Sequence, residues 1–221
     1  RKEYAFIYTD CYNICINQTD ENNNTKKLYQ NYSNKLNTYL SNVYMQIKSK
    51  NNYLLDLTNE WNKFQLINKW LHLFFQYLNR HFIKRHYYLP IKDNGYKQFY
   101  DYIFVKTIDD CLEELFNNIN KIRVDSQNNI SHITEYIKLL DFFNDFDNLY
   151  YKQFNIKFLD NSKDYYKKIS ISKFSELDVK SYLATCIQLI NFEKSNIFHL
   201  RNNTLITLEK ILYQTLLYEF T

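Results

Sequence analysis

A single glycine, Gly95, and a single proline, Pro90, in 221 residues remove most architectures before any pattern is read. Nucleotide-binding α/β folds need a glycine-rich turn that brings backbone N–H groups against phosphate, and one glycine cannot build it. Sandwiches and barrels need tight turns about every ten residues and apolar residues that alternate with period two, and that alternation is missing here. What remains is an all-α chain. Only Ala5 and Ala184 supply alanine, so helix stability must come from burying large side chains rather than from backbone propensity. Twenty-two Tyr and seventeen Phe provide that area.

Asn-rich polar stretches punctuate the chain at Asn17 to Lys27, Lys48 to Asn52, Pro90 to Gly95, Asp125 to Asn129, Asn161 to Asp164, Ser175 to Asp178 and Arg201 to Asn203. Between them apolar residues recur at three and four positions. Tyr4, Ile7, Tyr8, Cys11, Tyr12 and Cys15 form one such series, and Leu28, Tyr32, Leu36, Tyr39, Leu40, Val43 and Ile47 another. Each predicts an amphipathic helix. From Tyr53 to Tyr88 there is no breaker, which predicts one long or gently kinked helix, with Trp61 in the packed interior and Pro90 and Gly95 as the stop. Further helices are expected over 96–124, 130–147, 149–169, 178–200 and 204–220. Ser175 and Asp178 form a capping-box pattern ahead of Val179.

Twenty-eight Lys and Arg against twenty-four Asp and Glu leave a net charge of +4, too slight to indicate a polyanionic partner. Arg80, His81, Lys84, Arg85 and His86 form the one basic cluster, and cations in the last turn of a helix complement its dipole without any ligand. Cys11 and Cys15 stand at i, i+4, but no second Cys or His pair follows at a zinc-like spacing, so buried thiols are the simpler reading. Asp109, Asp110, Glu113 and Glu114 repeat at helical spacing and read as a solvated face. No metal or other cofactor is expected. Four scattered cysteines fit a reducing compartment, and no run reaches the roughly 18 apolar residues of a membrane span.

Two segments go further. Ile7 to Cys15 (IYTDCYNIC), preceded by Tyr4, resembles the second helix of the cullin family, in which tyrosines recur every four residues ahead of a cysteine; Tyr4, Tyr8, Tyr12 and Cys15 match that pattern. Trp61, Lys69, Leu71 and Tyr77 to Arg85 (YLNRHFIKR) resemble the cullin stretch in which a Trp-led helix ends in Tyr-Leu-Asn-Arg-His. Weaker likenesses follow at Asp110 to Leu112, Tyr151 to Phe154, Phe158 to Asp160, Tyr182-Leu183, and Leu200 with Thr204. Phe82 stands where the family often has Trp, and the loop after Cys15 is short. The excess of Asn, Lys, Tyr, Ile and Phe fits an AT-rich, protozoan genome.

The resemblance implies an elongated, α-solenoid-like stack of five-helix cullin repeats. The first would span 1–91 without its first helix, and the second 92–221. It also implies a non-catalytic scaffold of a Skp-cullin-F-box ubiquitin ligase in the cytoplasm or nucleus. The partner would be a Skp-type adaptor carrying an F-box substrate receptor, with the RING protein and the conjugating enzyme held by a C-terminal region outside these residues. The family's adaptor surface maps to Tyr4, Tyr8, Tyr12, Tyr77 and His81. Tyrosine suits that task, because it buries a large ring at low conformational cost and keeps a hydroxyl for the rim. A helical subunit of a tethering complex is the alternative, although nothing in such a subunit requires YLNRHFIKR.

Overall fold

The apolar period is realised as helix over most of the residues that the computed structural model describes, which are 2–17, 24–50, 52–124, 131–148, 150–196 and 200–218. The helices are α1 (Lys2–Ile16), α2 (Asn24–Lys48), α3 (Tyr53–Phe74), α4 (Gln76–Leu78), α5 (Ile91–Phe99), α6 (Val105–Val124), α7 (Ser131–Phe142), α8 (Asn144–Asp147), α9 (Ile156–Glu176), α10 (Val179–Ser195) and α11 (Asn202–Tyr213). Wider π-type turns extend four of these runs, at Asn79–Ile83, Tyr100–Phe104, Tyr150–Asn155 and Gln214–Tyr218. The described residues hold no strand, and none of their helices is long and apolar enough to cross a membrane. The chain divides into two compact units, Arg1–Cys111 and Leu112–Thr221, and the division falls inside α6.

In the first unit α1 lies on α3 and α4, α3 on α5, and α2 on α3, α5 and Tyr100–Phe104. Its centre is aromatic. Trp61 and Phe64 each place a ring 4.9 Å from that of Phe99, and all three are buried. Each such side chain contributes roughly 1.5–3 kcal/mol of transfer free energy.

The long helix expected over 53–88 is interrupted. Phe75 leaves helical geometry (φ −93°, ψ 20°), the chain resumes at Gln76, and it widens after Leu78, where the Lys84 N–H donates to the Asn79 carbonyl at 3.3 Å. Pro90 then serves as the N-cap of α5, a place where its missing N–H costs nothing. Gly95 does not stop a helix; it lies within α5. A Cβ at that position would stand 2.1 Å from Asn68 Oδ1, and Asn68 is fully buried with its amide donating to the Lys92 carbonyl at 2.9 Å. The glycine therefore serves close approach of α5 to α3.

In the second unit α9 lies against α10, α11 and Gln214–Tyr218. The polar stretch Asn161 to Asp164, expected to break the chain, is helical within α9 because its side chains are engaged. The Arg123 guanidinium donates to Asn161 Oδ1 at 3.0 Å and to Ser162 Oγ at 2.6 Å, and Ser162 donates in turn to the Phe158 carbonyl at 2.8 Å. Tyr166 donates to Glu193 at 2.5 Å, and Glu193 pairs with Arg123 at 2.6 Å. The expected capping box is also redistributed. Ser175 stays inside α9 and donates to the Ser172 carbonyl at 2.7 Å, while Asp178 alone occupies the N-cap of α10. The Ser181 hydroxyl beside it holds the Asp178 carboxyl below its ordinary value.

Candidate functional site

Helix α1 turns its small residues inward. Cys11 and Cys15 are buried, and burial raises both thiols, Cys15 to about 11, so they are protonated near neutrality rather than poised as nucleophiles or ligands. Among the described residues no group of three His, Cys, Asp or Glu could hold a metal ion.

The five residues nominated from sequence fall as follows. Tyr4 lies in the first turn of α1, and its side chain is outside the described residues. Tyr8 is half-buried, one turn before Tyr12. Tyr12, 37% exposed, meets Tyr77 edge-on with ring centroids 4.7 Å apart, and the Tyr77 ring lies 4.2 Å from the His81 ring. Tyr12, Tyr77 and His81 thus form one aromatic cluster at the contact of α1 with α4. Tyr77 is half-buried and His81 exposed.

The motif around Tyr77 is divided between surface and support. Leu78 is fully buried. Asn79 is a support residue: its Oδ1 accepts from the Ile91 N–H at 3.0 Å, satisfying the first orphan donor of α5, and its amide meets His72 Nδ1 at 3.2 Å. A cavity of about 310 Å³ opens beside the cluster, lined by Cys15, Thr25, Tyr77, His81, Arg85 and His86 among others. The arrangement supplies aromatic rings, ring nitrogens and cations for recognition.

Sequence periodicity did not place everything. Ile7, read with the inward stripe of α1, is 40% exposed, and Phe6, Ile14 and Ile16 are exposed as well. Spacing carried no signal of this for Ile7 and Ile14, which stand four residues before and three after the buried Cys11. Of the four carboxylates read as a solvated face, Asp110 is instead engaged by Lys48, and Glu114 is half-buried.

The sequence profile of the cullin alpha solenoid domain matches residues 1–221. Among curated relatives, Cullin-6 of Caenorhabditis elegans is 31% identical over 191 residues, covering 76% of this chain and 25% of that protein. Cullin-1 of Oryza sativa subsp. japonica is 26% identical over 106 residues, covering 47% of this chain and 14% of that protein. The chain spans a quarter or less of the length of these relatives.

Proposed function

This chain belongs to the cullin family, and from that membership we propose that it is the adaptor-gripping part of a ubiquitin-ligase scaffold of the Skp-cullin-F-box type, working in the cytoplasm or nucleus. The supporting observation is the contact between the two motif-bearing segments: Tyr12 of α1 on Tyr77 of α4, with His81 against Tyr77. Tyr4, Tyr8, Tyr12, Tyr77 and His81 are assigned to the adaptor. None of them makes or breaks a bond; their work is to hold a partner in a fixed direction. Half-exposed rings pinned by one another suit that work, since little rotamer freedom is left to lose when a partner covers them.

The two repeats are assigned to 1–91 and 92–221. The task of holding the RING protein and the conjugating enzyme is not assigned to any of these residues. Pull-down with a recombinant Skp-type adaptor, alongside a BTB-type adaptor, tests the reading. Retention of the Skp-type adaptor alone is expected. Retention of the BTB-type adaptor in preference, or of neither, contradicts the subtype.

A further inference from the structure

Between Glu60 and Asp93 the sequence contains no acidic residue, yet it carries Lys63, Lys69, Arg80, Lys84, Arg85 and Lys92. A chain whose overall charges nearly balance has therefore segregated its cations along α3, α4 and the turn that follows. Lys63 is occupied by Glu60. Arg80, Lys84 and Arg85 are exposed and form no ion pair among the described residues.

In that turn stands Tyr87, 97% exposed and left-handed at φ 56°. A bulky residue with positive φ is an outlier that costs stability, and this ring recovers almost nothing from packing. The turn beneath it is nevertheless well anchored. The Tyr88 N–H donates to the Ile83 carbonyl at 3.2 Å, the Tyr29 hydroxyl to the Leu89 carbonyl at 3.1 Å, and the Tyr88 ring packs on Phe82 and Tyr29. A strained, exposed aromatic on a fixed platform, following the cations Arg80, Lys84 and Arg85 in the chain, is an anchor preorganised for a partner.

We infer that this segment is built to meet an acidic protein surface, with Arg80, Lys84 and Arg85 supplying the charge and Tyr87 an anchoring ring, on the same stretch of chain as Tyr77 and His81 of the aromatic cluster. The inference rests on the adaptor reading above and adds to it the chemistry of the adaptor's face: carboxylates opposite the turn, and a recess for the ring. The cavity between Tyr77, His81 and Arg85 would receive an acidic side chain.

The test titrates the 221-residue chain with three probes at low and physiological salt: a Skp-type adaptor, a poly-glutamate peptide and a DNA duplex. The inference expects adaptor affinity to fall about tenfold as salt rises. Arg80→Glu/Arg85→Glu is expected to abolish peptide binding and to weaken the adaptor by a further factor of ten or more. Tyr87→Gly separates recognition from folding: it should melt no lower than the parent, because glycine accepts the left-handed backbone, yet bind adaptor about tenfold more weakly. Adaptor binding indifferent to salt and to charge reversal overturns the inference while leaving the adaptor reading intact. Peptide binding lost on charge reversal, with no adaptor binding at all, retains the acidic-partner surface and removes the adaptor reading. Tighter binding to DNA than to both acidic probes overturns the inference in favour of nucleic acid.

Discussion

Arg123 and Glu193, 70 positions apart in sequence, form an ion pair at 2.6 Å with both side chains only 2% exposed. Two buried charges are tolerated because their remaining valences are filled. Arg123 also reaches Asn120, Asn161 and Ser162, and it lies over the Tyr165 ring at 5.0 Å; Glu193 accepts from Tyr166. Removing one partner strands the other, so Glu193→Leu is expected to cost about 3–5 kcal/mol. Arg123→Met/Glu193→Leu should recover much of that loss, since replacing both charges by apolar groups is often neutral. Urea unfolding of the two variants measures the difference; equal losses would show that the network is not held by the pair.

Gly95 is the second structural commitment. Gly95→Ala places a methyl 2.1 Å from Asn68 Oδ1 in a fully buried contact, and an overpacking cost of roughly 1–3 kcal/mol is expected. Because the clash belongs to a pair, Gly95→Ala/Asn68→Ala should be less destabilised than the sum of its single variants. Additive denaturation energies would place the strain elsewhere.

Tyrosine burial couples the fold to alkaline pH. Burial raises the Tyr182 phenol from 10.0 to about 12, and it raises Tyr32 and Tyr166 as well, with Glu193 adding to the effect on Tyr166. The fold therefore binds protons that the unfolded chain releases. Their contribution is complete below the unfolded value of 10.0 and, for Tyr182, is lost as pH rises from there towards about 12. Tyrosinate absorbance should show a late-titrating group that collapses into the main transition once urea unfolds the chain. A single ordinary titration in the folded protein would contradict this.

Much of the helical plan was legible locally, because burial of one face writes itself into spacing. Cys111, Leu115, Ile119 and Ile122 of α6 recur at three and four residues, and all four are buried. The misreadings share a cause. Gly95 and Asn161 to Asp164 carry residue types that break helices when solvent is the only alternative, and here tertiary partners, Asn68 and Arg123, decide the matter. The Arg123–Glu193 pair had no local signature at all. At the candidate site, resemblance nominated Tyr12 and Tyr77, but their edge-on contact required the packing of α1 on α4, and the strained exposure of Tyr87 required the backbone.

Interior and surface aromatics should separate cleanly in variants. Trp61 is 6% exposed and packs on Phe64, Tyr96 and Phe99, so Trp61→Ala is expected to cost about 3–5 kcal/mol of stability. Tyr8→Ala should melt close to the parent. A Tyr8→Ala protein as unstable as Trp61→Ala would assign Tyr8 to the core.

Calorimetric titration of a Skp-type adaptor into the parent chain and into Tyr77→Ala tests the central claim most directly, with thermal melting of both proteins as the control. The account predicts saturable binding by the parent and a loss of about 2 kcal/mol in Tyr77→Ala, roughly thirtyfold in affinity, as for an aromatic at the centre of an interface. Parental affinity in a folded Tyr77→Ala protein would contradict it.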